Sequence, residues 1–505
     1  MLSRQYAALE RVAQGVPVHE ALDVKNPGDW LGFDIDVRAA RWAGHDVLAG
    51  RGTSEPAFAL CHRDGRVREK ALERAAALPA LVPLIVIRTA DWAAPVRDRA
   101  RALLPALLAA TAPEALVPLT ALVLHVARRE RGAFARDTLA ALVRSTTLTD
   151  LEPLLAAEDR GTRRFAHGIA VERGLLSPVR LARTAAADAD TVVQHLCAEA
   201  ALVHADAVGD AVIEPLLGSR QSGVRAVGVT ALRRTGRHAE AQPYLTDRSG
   251  LVRACARYVL RQGGVDPLPL YRALCADPGE TGIPGWAPLG LAECGGSADA
   301  ELLWPLIAHP APAVRARAVA GLRVLDKADT ERLRPLLDDP APAVARETVS
   351  ALLPSARRLP EEWLARRLDA SRPVHTRRAA FRLLLRARDG VVQLRTAVTL
   401  LDDEDPSIRA LAGSAIQRWD PQVGADHDPA DVAALLDRCT HLFSDHVMRR
   451  LRWRCGIEDR NEQRAEAPPF DNPSHGTDVR THRRPYSELH RRAARLLRRH
   501  RPTRG

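Results

Sequence analysis

The chain has 505 residues, of which 46% are hydrophobic and only 4% aromatic, and carries a formal net charge of +11. That much apolar content on a background rich in Ala, Leu and Arg excludes a disordered chain and predicts closely packed helices with almost no sheet. The charge excludes a uniformly basic body, because from Met448 to the end 16 Arg stand against 7 acids, a net of +9, which leaves +2 for everything before.

In chain order, residues 1–24 read as an N-terminal helical cap without the apolar stretch of a secretory signal. The seven cysteines (Cys61, Cys197, Cys255, Cys275, Cys294, Cys439 and Cys455) form no CxxC pair and are odd in number, which predicts reduced thiols and a cytoplasmic location. The longest apolar run, ALPALVPLIVI at 77–87, is too short to span a bilayer and holds two prolines.

Residues 25–455 repeat themselves. HPAPAVRARAVAGL at 309–322 returns as DPAPAVARETVSAL at 339–352, and the register extends through apolar anchors at Val37, Val67, Val96, Ala135, Thr162, Val192, Val224, Val252, Ile283, Val314, Val344, Val374, Ile408 and Val447. Small or apolar residues four and eight positions on, as in Val96, Ala100, Leu104 and Val252, Ala256, Leu260, predict one buried helical stripe per unit. Val37 and Val374 lack it. Two further marks keep the register. A proline nine residues before the anchor (Pro153, Pro215, Pro243, Pro305, Pro335) predicts the start of a short first helix. An Arg directly after the anchor (Arg38, Arg68, Arg97, Arg136, Arg163, Arg225, Arg253, Arg315, Arg409) suggests a ladder along the stack. Asp six residues before it, in Asp91/Arg97, Asp247/Arg253 and Asp403/Arg409, is expected to cap the second helix.

The unit x-P-L-L followed by D-P-x-x-V-R-x-x-A-x-x-x-L resembles a HEAT repeat, in particular the short bilin-lyase-like kind. The resemblance implies an all-α, right-handed α-solenoid of about fourteen HEAT-like helix pairs, since one pair cannot bury its apolar face alone and stacks until its neighbours do so. It also implies a non-enzymatic scaffold or adaptor that binds a protein or peptide partner on its concave surface; fold alone names no chemistry.

The pattern breaks at 263–299, where Pro284 and Pro288 fall inside the expected second helix, so that this helix is kinked or starts late. A hinge or a recognition notch at Trp286 is the functional reading of the break. Residues 456–485 read as a disordered linker. Residues 486–505 read as a basic amphipathic tail in which Leu489, Ala493, Leu496 and Leu497 oppose Arg491, Arg492, Arg495, Arg498 and Arg499. Those arginines are the candidate contact to an anionic partner, either nucleic acid or a membrane surface.

No catalytic residue, cofactor or metal is expected. Only three lysines occur (Lys25, Lys70, Lys327), none in a phosphate loop, and no GxGxxG, GxSxG or HExxH is present. Cys439, His441, His446 and Cys455 have zinc-type ligands, but 439 and 441 face apart on a helix. HEAT-like DNA glycosylases of the alkylpurine type use Trp and Asp beside a basic surface; Trp42, Asp46, Asp91 and Trp92 are the residues to compare. The nearly neutral body argues against that enzyme, and a bilin-lyase-like activity is the other enzymatic rival.

Overall fold

The computed structural model describes residues 2–39, 54–203, 209–387, 390–421 and 428–457. All regular structure among them is helical, and no strand occurs. The chain divides into two compact units, Met1–Pro354 and Ser355–Gly505. Each is an α-solenoid of helix pairs in which the first helix, often partly 3-10, is in most pairs shorter than the second. In the first unit the second helices are α1 (Gly65–Ala76), α2 (Ala94–Ala109), α3 (Ala133–Ser145), α4 (Arg160–Glu172), α5 (Thr191–Ala201), α6 (Ser222–Arg234), α7 (Gly250–Gln262), α8 (Ala287–Cys294), α9 (Pro312–Val324) and α10 (Pro342–Leu352). In the second unit they are α11 (Val374–Ala387), α12 (Pro406–Arg418) and α13 (Asp445–Arg454).

The anchor stripe is the core. Val96, Ala100 and Leu104 are fully buried, as are Val224, Val229 and Leu232, Val252 and Ala256, and Val314, Ala318 and Leu322. Each second helix therefore presents a small residue one turn above a larger one, which lets neighbouring pairs approach closely. Gly290 and Gly321 mark two close approaches: a Cβ on Gly290 would stand 2.2 Å from the Tyr271 ring, and one on Gly321 2.8 Å from Leu303.

Five anchors are displaced. Val192 is 48% exposed, while Val193, Cys197 and Ala201 are fully buried. The two stripes offered by Thr-Val-Val differ by one residue and are equally apolar, so the pattern alone could not choose. Val374 is half-buried at the start of α11, and the stripe runs through Thr376, Ala380 and Leu384; a threonine stands where an aliphatic was sought. Val447 is exposed and Met448 buried. Val37 lies near the end of the helix Pro27–Ala39 rather than in the first turn of a second helix. Ile283 is buried but precedes α8, which starts late, with Pro288 in its first turn where a missing N–H costs nothing.

The register prolines do not begin the first helices. Pro153 and Pro215 lie in the second turn of Leu148–Leu155 and Asp210–Leu217. Pro243, Pro305 and Pro335 lie in 3-10 segments, His238–Thr246, Pro305–Ala308 and Arg334–Asp338. A proline cannot donate to the carbonyl four residues back and its ring crowds that carbonyl, so the closing turn tightens or breaks there. In a helix of eight residues that loss is one hydrogen bond.

Candidate functional site

The arginine after the anchor builds a ladder, and the aspartate before the second helix is its rung. Arg225 sends Nη1 back to the carbonyls of Ser219 (2.9 Å) and Arg220 (3.0 Å), while Nε and Nη2 grip both oxygens of Asp247 at 2.9 and 2.8 Å. Arg315 repeats this on His309, Pro310 and Asp339. Arg68 does so on His62, Arg63 and Asp91. Arg377 in the second unit reaches Asp403 at 2.5 Å. The fork of a guanidinium suits this double duty, which an ammonium could not perform. Gln194 takes the place of the arginine after Val193 and donates to the Asp188 carbonyl at 2.7 Å. Arg136 leaves the ladder and pairs with its neighbour Asp137.

Asp91, Asp247 and Asp403 are consequently not helix caps, as the spacing suggested. The cap positions two residues on are Ala93, Ser249 and Asp405. Each aspartate instead accepts the N–H of that cap residue, closing a turn, while it receives the arginine of the unit before. On Asp247 burial works against the charge, but the Arg225 hydrogen bonds and the Ser249 N–H outweigh it and hold the carboxyl below its ordinary range. The signal was in the sequence as an Arg-to-Asp separation of 22 to 24 residues in Arg225/Asp247, Arg68/Asp91 and Arg315/Asp339, between units rather than within one.

Near the N-terminus the ladder widens into a buried charge cluster. Asp91 takes Arg68 on both oxygens, Arg88 at 3.0 Å and Arg38 at 3.4 Å; Asp34 takes Arg88 at 2.5 Å and Arg38 at 3.1 Å. Arg68 and Arg88 are 0% and 1% exposed. Burial pushes the Asp34 carboxyl up, with Arg38 opposing, and pushes the Cys61 thiol beside it up strongly. Asp91 is thus fully engaged and has no lone pair free to orient a water or a substrate. Trp92 is 66% exposed with Arg68 5.6 Å from its ring centre, while Trp42 and Asp46 lie outside the described residues.

Trp286 stands immediately before α8, half-buried, with the Arg317 guanidinium 3.7 Å and that of Arg253 5.1 Å from its ring centre. The break in the repeat explains the stacking. Pro284 takes the arginine position and His309 the following rung, where its Nε2 meets the Glu280 carbonyl at 3.0 Å. Arg253 pairs with Glu293, which Arg257 shares at 2.7 Å, rather than with Asp277, 24 residues on, which accepts the Gly279 N–H at 2.8 Å. Other tryptophans serve packing: Trp304 is buried under Arg332, and Trp419 donates to the Gly390 carbonyl at 2.9 Å. Cys439 and Cys455 lie in the core of the second unit, whereas His441 and His446 are exposed. Arg491, Arg492, Arg495, Arg498 and Arg499 lie outside the described residues.

What remains is the side of the second helices that no neighbour covers. In the first unit it begins with charges of both signs, Glu73 paired with Arg99, Asp137 with Arg136 and Glu172 with Arg144, beside Glu69, Asp98 and Glu199, all exposed. It then becomes apolar: Val192 on α5 is 48% exposed, and on α7 Leu251 and Tyr258, seven residues apart, are 53% and 38% exposed. Between them His195 lies over Gly223 of α6 so closely that a Cβ there would stand 2.1 Å from the ring. In the second unit the same side is basic: Arg378, Arg382 and Arg386 on α11 and Arg418 on α12 are all exposed. Sequence reading placed Val192 and the stripe of α11 on the wrong side of their helices, through the displaced anchors at Val192 and Val374; Leu251 and Tyr258, on a helix whose anchor Val252 is in register, follow only from reading its outer side.

No protein-family model matches the chain, and no curated protein does. Solved structures do match. They include YibA of E. coli (17% identity, 56% of this chain and 97% of that one, TM-score 0.22) and a microtubule polymerase with TOG domain arrays (12%, 72% and 99%, 0.22). Importin beta is a third (14%, 93% and 72%, 0.31). At these scores none of them bears on what this chain binds. No helix of the described residues is long and apolar enough to cross a membrane.

Proposed function

We propose that the chain is a non-enzymatic HEAT-repeat scaffold or adaptor that holds a protein or peptide partner on the open side of the second helices, the concave side expected of such a repeat. The observation that carries this reading is the exposure of Val192 on α5 and of Leu251 and Tyr258 on α7, beside Glu199 and His195. An apolar and aromatic centre with a polar rim is the anatomy of a protein interface, and tyrosine is a frequent anchor within one. The ladder supports the reading in a second way. Its arginines and aspartates are spent on joining repeats, which leaves rigid second helices whose outer sides are free to vary.

The short bilin-lyase-like repeat subtype, a cytoplasmic setting supported by seven free cysteines, and an additional electrostatic contact through Arg491 to Arg499 complete the proposal. Trp286 enters as a clamp between Arg253 and Arg317 that shapes the surface at the break in the repeat. The test is cross-linking of the wild-type chain and a Leu251→Glu/Tyr258→Glu variant in cell extract, followed by mass spectrometry. A partner that cross-links to α5 to α7 in the wild type and is lost from the variant supports the proposal. A partner retained equally by both, or cross-linked only elsewhere, refutes it.

A further inference from the structure

The geometry points to a second binding face of different chemistry, on α11 and α12 of the unit Ser355–Gly505, which takes the phosphate backbone of a nucleic acid. Three features carry it. Arg378, Arg382 and Arg386 stand at i, i+4 and i+8 on the uncovered side of α11, about 6 Å apart along the axis. Arg418 is exposed on the packed neighbour α12. None of the four has a carboxylate or carbonyl partner among the described residues, and neither helix contains a single acid.

The contrast is internal to the molecule. Arg377, one residue before Arg378, is held by Asp403; Arg395 is held by Asp431 and Arg438 by Asp402. Like charges four residues apart on a helix destabilise it by a few tenths of a kcal/mol each. A stripe of three therefore carries a cost that paired arginines avoid, and a ligand that neutralises it recovers that cost.

Arg418 borders a cavity of about 310 Å³ together with Leu385 of α11, Gln393, Trp419 and Asp420, an acid held by Arg454. The face is thus concave between α11 and α12, and its exposed residues are polar. That distinguishes a phosphate backbone from a protein. A protein interface has an apolar or aromatic centre, and Val447 is the sole large hydrophobic of this unit exposed among the described residues. Phosphate binding needs none. It needs guanidinium forks with free donors at intervals along a groove, and it positions without reading sequence.

Because the tail also carries arginines, the test uses the full chain in two backgrounds, native and with Arg491, Arg492, Arg495, Arg498 and Arg499 changed to Ala. In each, anisotropy of a fluorescein-labelled duplex DNA and a labelled RNA is read at several salt concentrations. R378A/R382A/R386A is expected to weaken binding at low salt by about tenfold or more and to lower the salt slope by about 3, in both backgrounds. R378K/R382K/R386K should keep the slope and lose less affinity, which separates charge from fold; circular dichroism should match the wild type for both. R144A/R237A, on paired surface arginines of the first unit, should change nothing. Three results would overturn the inference: equal binding by the wild type and the alanine triple, no binding at all once the tail is neutralised, or displacement of the RNA by a poly-glutamate peptide at equal charge. The last would mark the face as one for acidic protein.

Discussion

The two units use the same repeat, and they differ in what their exposed arginines meet. In the first unit Arg68, Arg225, Arg253 and Arg315 go inward, each closing a turn and reaching a carboxylate of another repeat, while exposed arginines such as Arg99, Arg136 and Arg144 pair with Glu73, Asp137 and Glu172. In the second unit Arg377 keeps that inward role while the next three arginines of α11 are exposed with no acid to meet them among the described residues. The difference teaches that net charge reports little about such a protein until each charge is assigned to a side of its helix. Arginine one residue after the anchor is architecture; arginine two, six and ten residues after it is surface.

The largest effect should come from breaking the inward half of this contrast. Arg68→Ala leaves Asp91 buried beside an emptied site and is expected to cost about 3 to 5 kcal/mol in chemical denaturation, the range for removing one partner of a buried pair. An exposed arginine such as Arg382 changed to Ala should stay within about 0.5 kcal/mol. If the two losses were equal, the distinction between ladder and surface would fail. Next in size, Gly290→Ala drives a methyl into the Tyr271 ring, whose hydroxyl donates to the Leu245 carbonyl at 2.5 Å. A loss of about 1 to 3 kcal/mol is expected, with tyrosine fluorescence reporting the shift.

A smaller effect should follow pH. The Arg164 hydrogen bond, opposed by burial, holds the Asp190 carboxyl down at about 2, below its ordinary 3.8. The folded state therefore keeps the carboxylate that the unfolded chain protonates, so the contribution is complete above about pH 5 and disappears as pH falls through 2. Wild type and Asp190→Asn should differ in denaturation midpoint at pH 6 and converge towards pH 2; a constant gap would show that the pair acts by packing alone. The smallest effect is expected for Arg144→Ala, which removes an exposed pair with Glu172 and should cost less than about 0.5 kcal/mol.

Much of this was legible in the sequence, and the losses have physical causes. The helix pairs, the stripe through Val96, Val252 and Val314 and the existence of an arginine ladder followed from spacing, because a buried stripe repeats every 3.6 residues whatever else changes. The role of the aspartate did not follow. Asp91 and Asp247 sit near a helix start, where a cap is the ordinary reading, and only the arginine of another unit shows that they are rungs. Threonine at 376 and the doubled valine at 192–193 displaced the register by two and by one, and with it the side on which Arg378, Arg382 and Val192 stand. The break at Trp286 was visible through its prolines; the approach of Arg253 and Arg317 to its ring was not, because Arg253 pairs with Glu293 instead of the aspartate 24 residues on.

The central claim is that neighbouring repeats are locked by arginine forks, pair by pair. Hydrogen exchange with mass spectrometry on Arg225→Ala tests it most directly. The prediction is faster exchange confined to the turn at 219–223, the turn at 247–250 and the adjoining halves of α6 and α7, with α1 to α3 unchanged. Acceleration spread evenly over the whole unit Met1–Pro354, or none at the Asp247 turn, would contradict it.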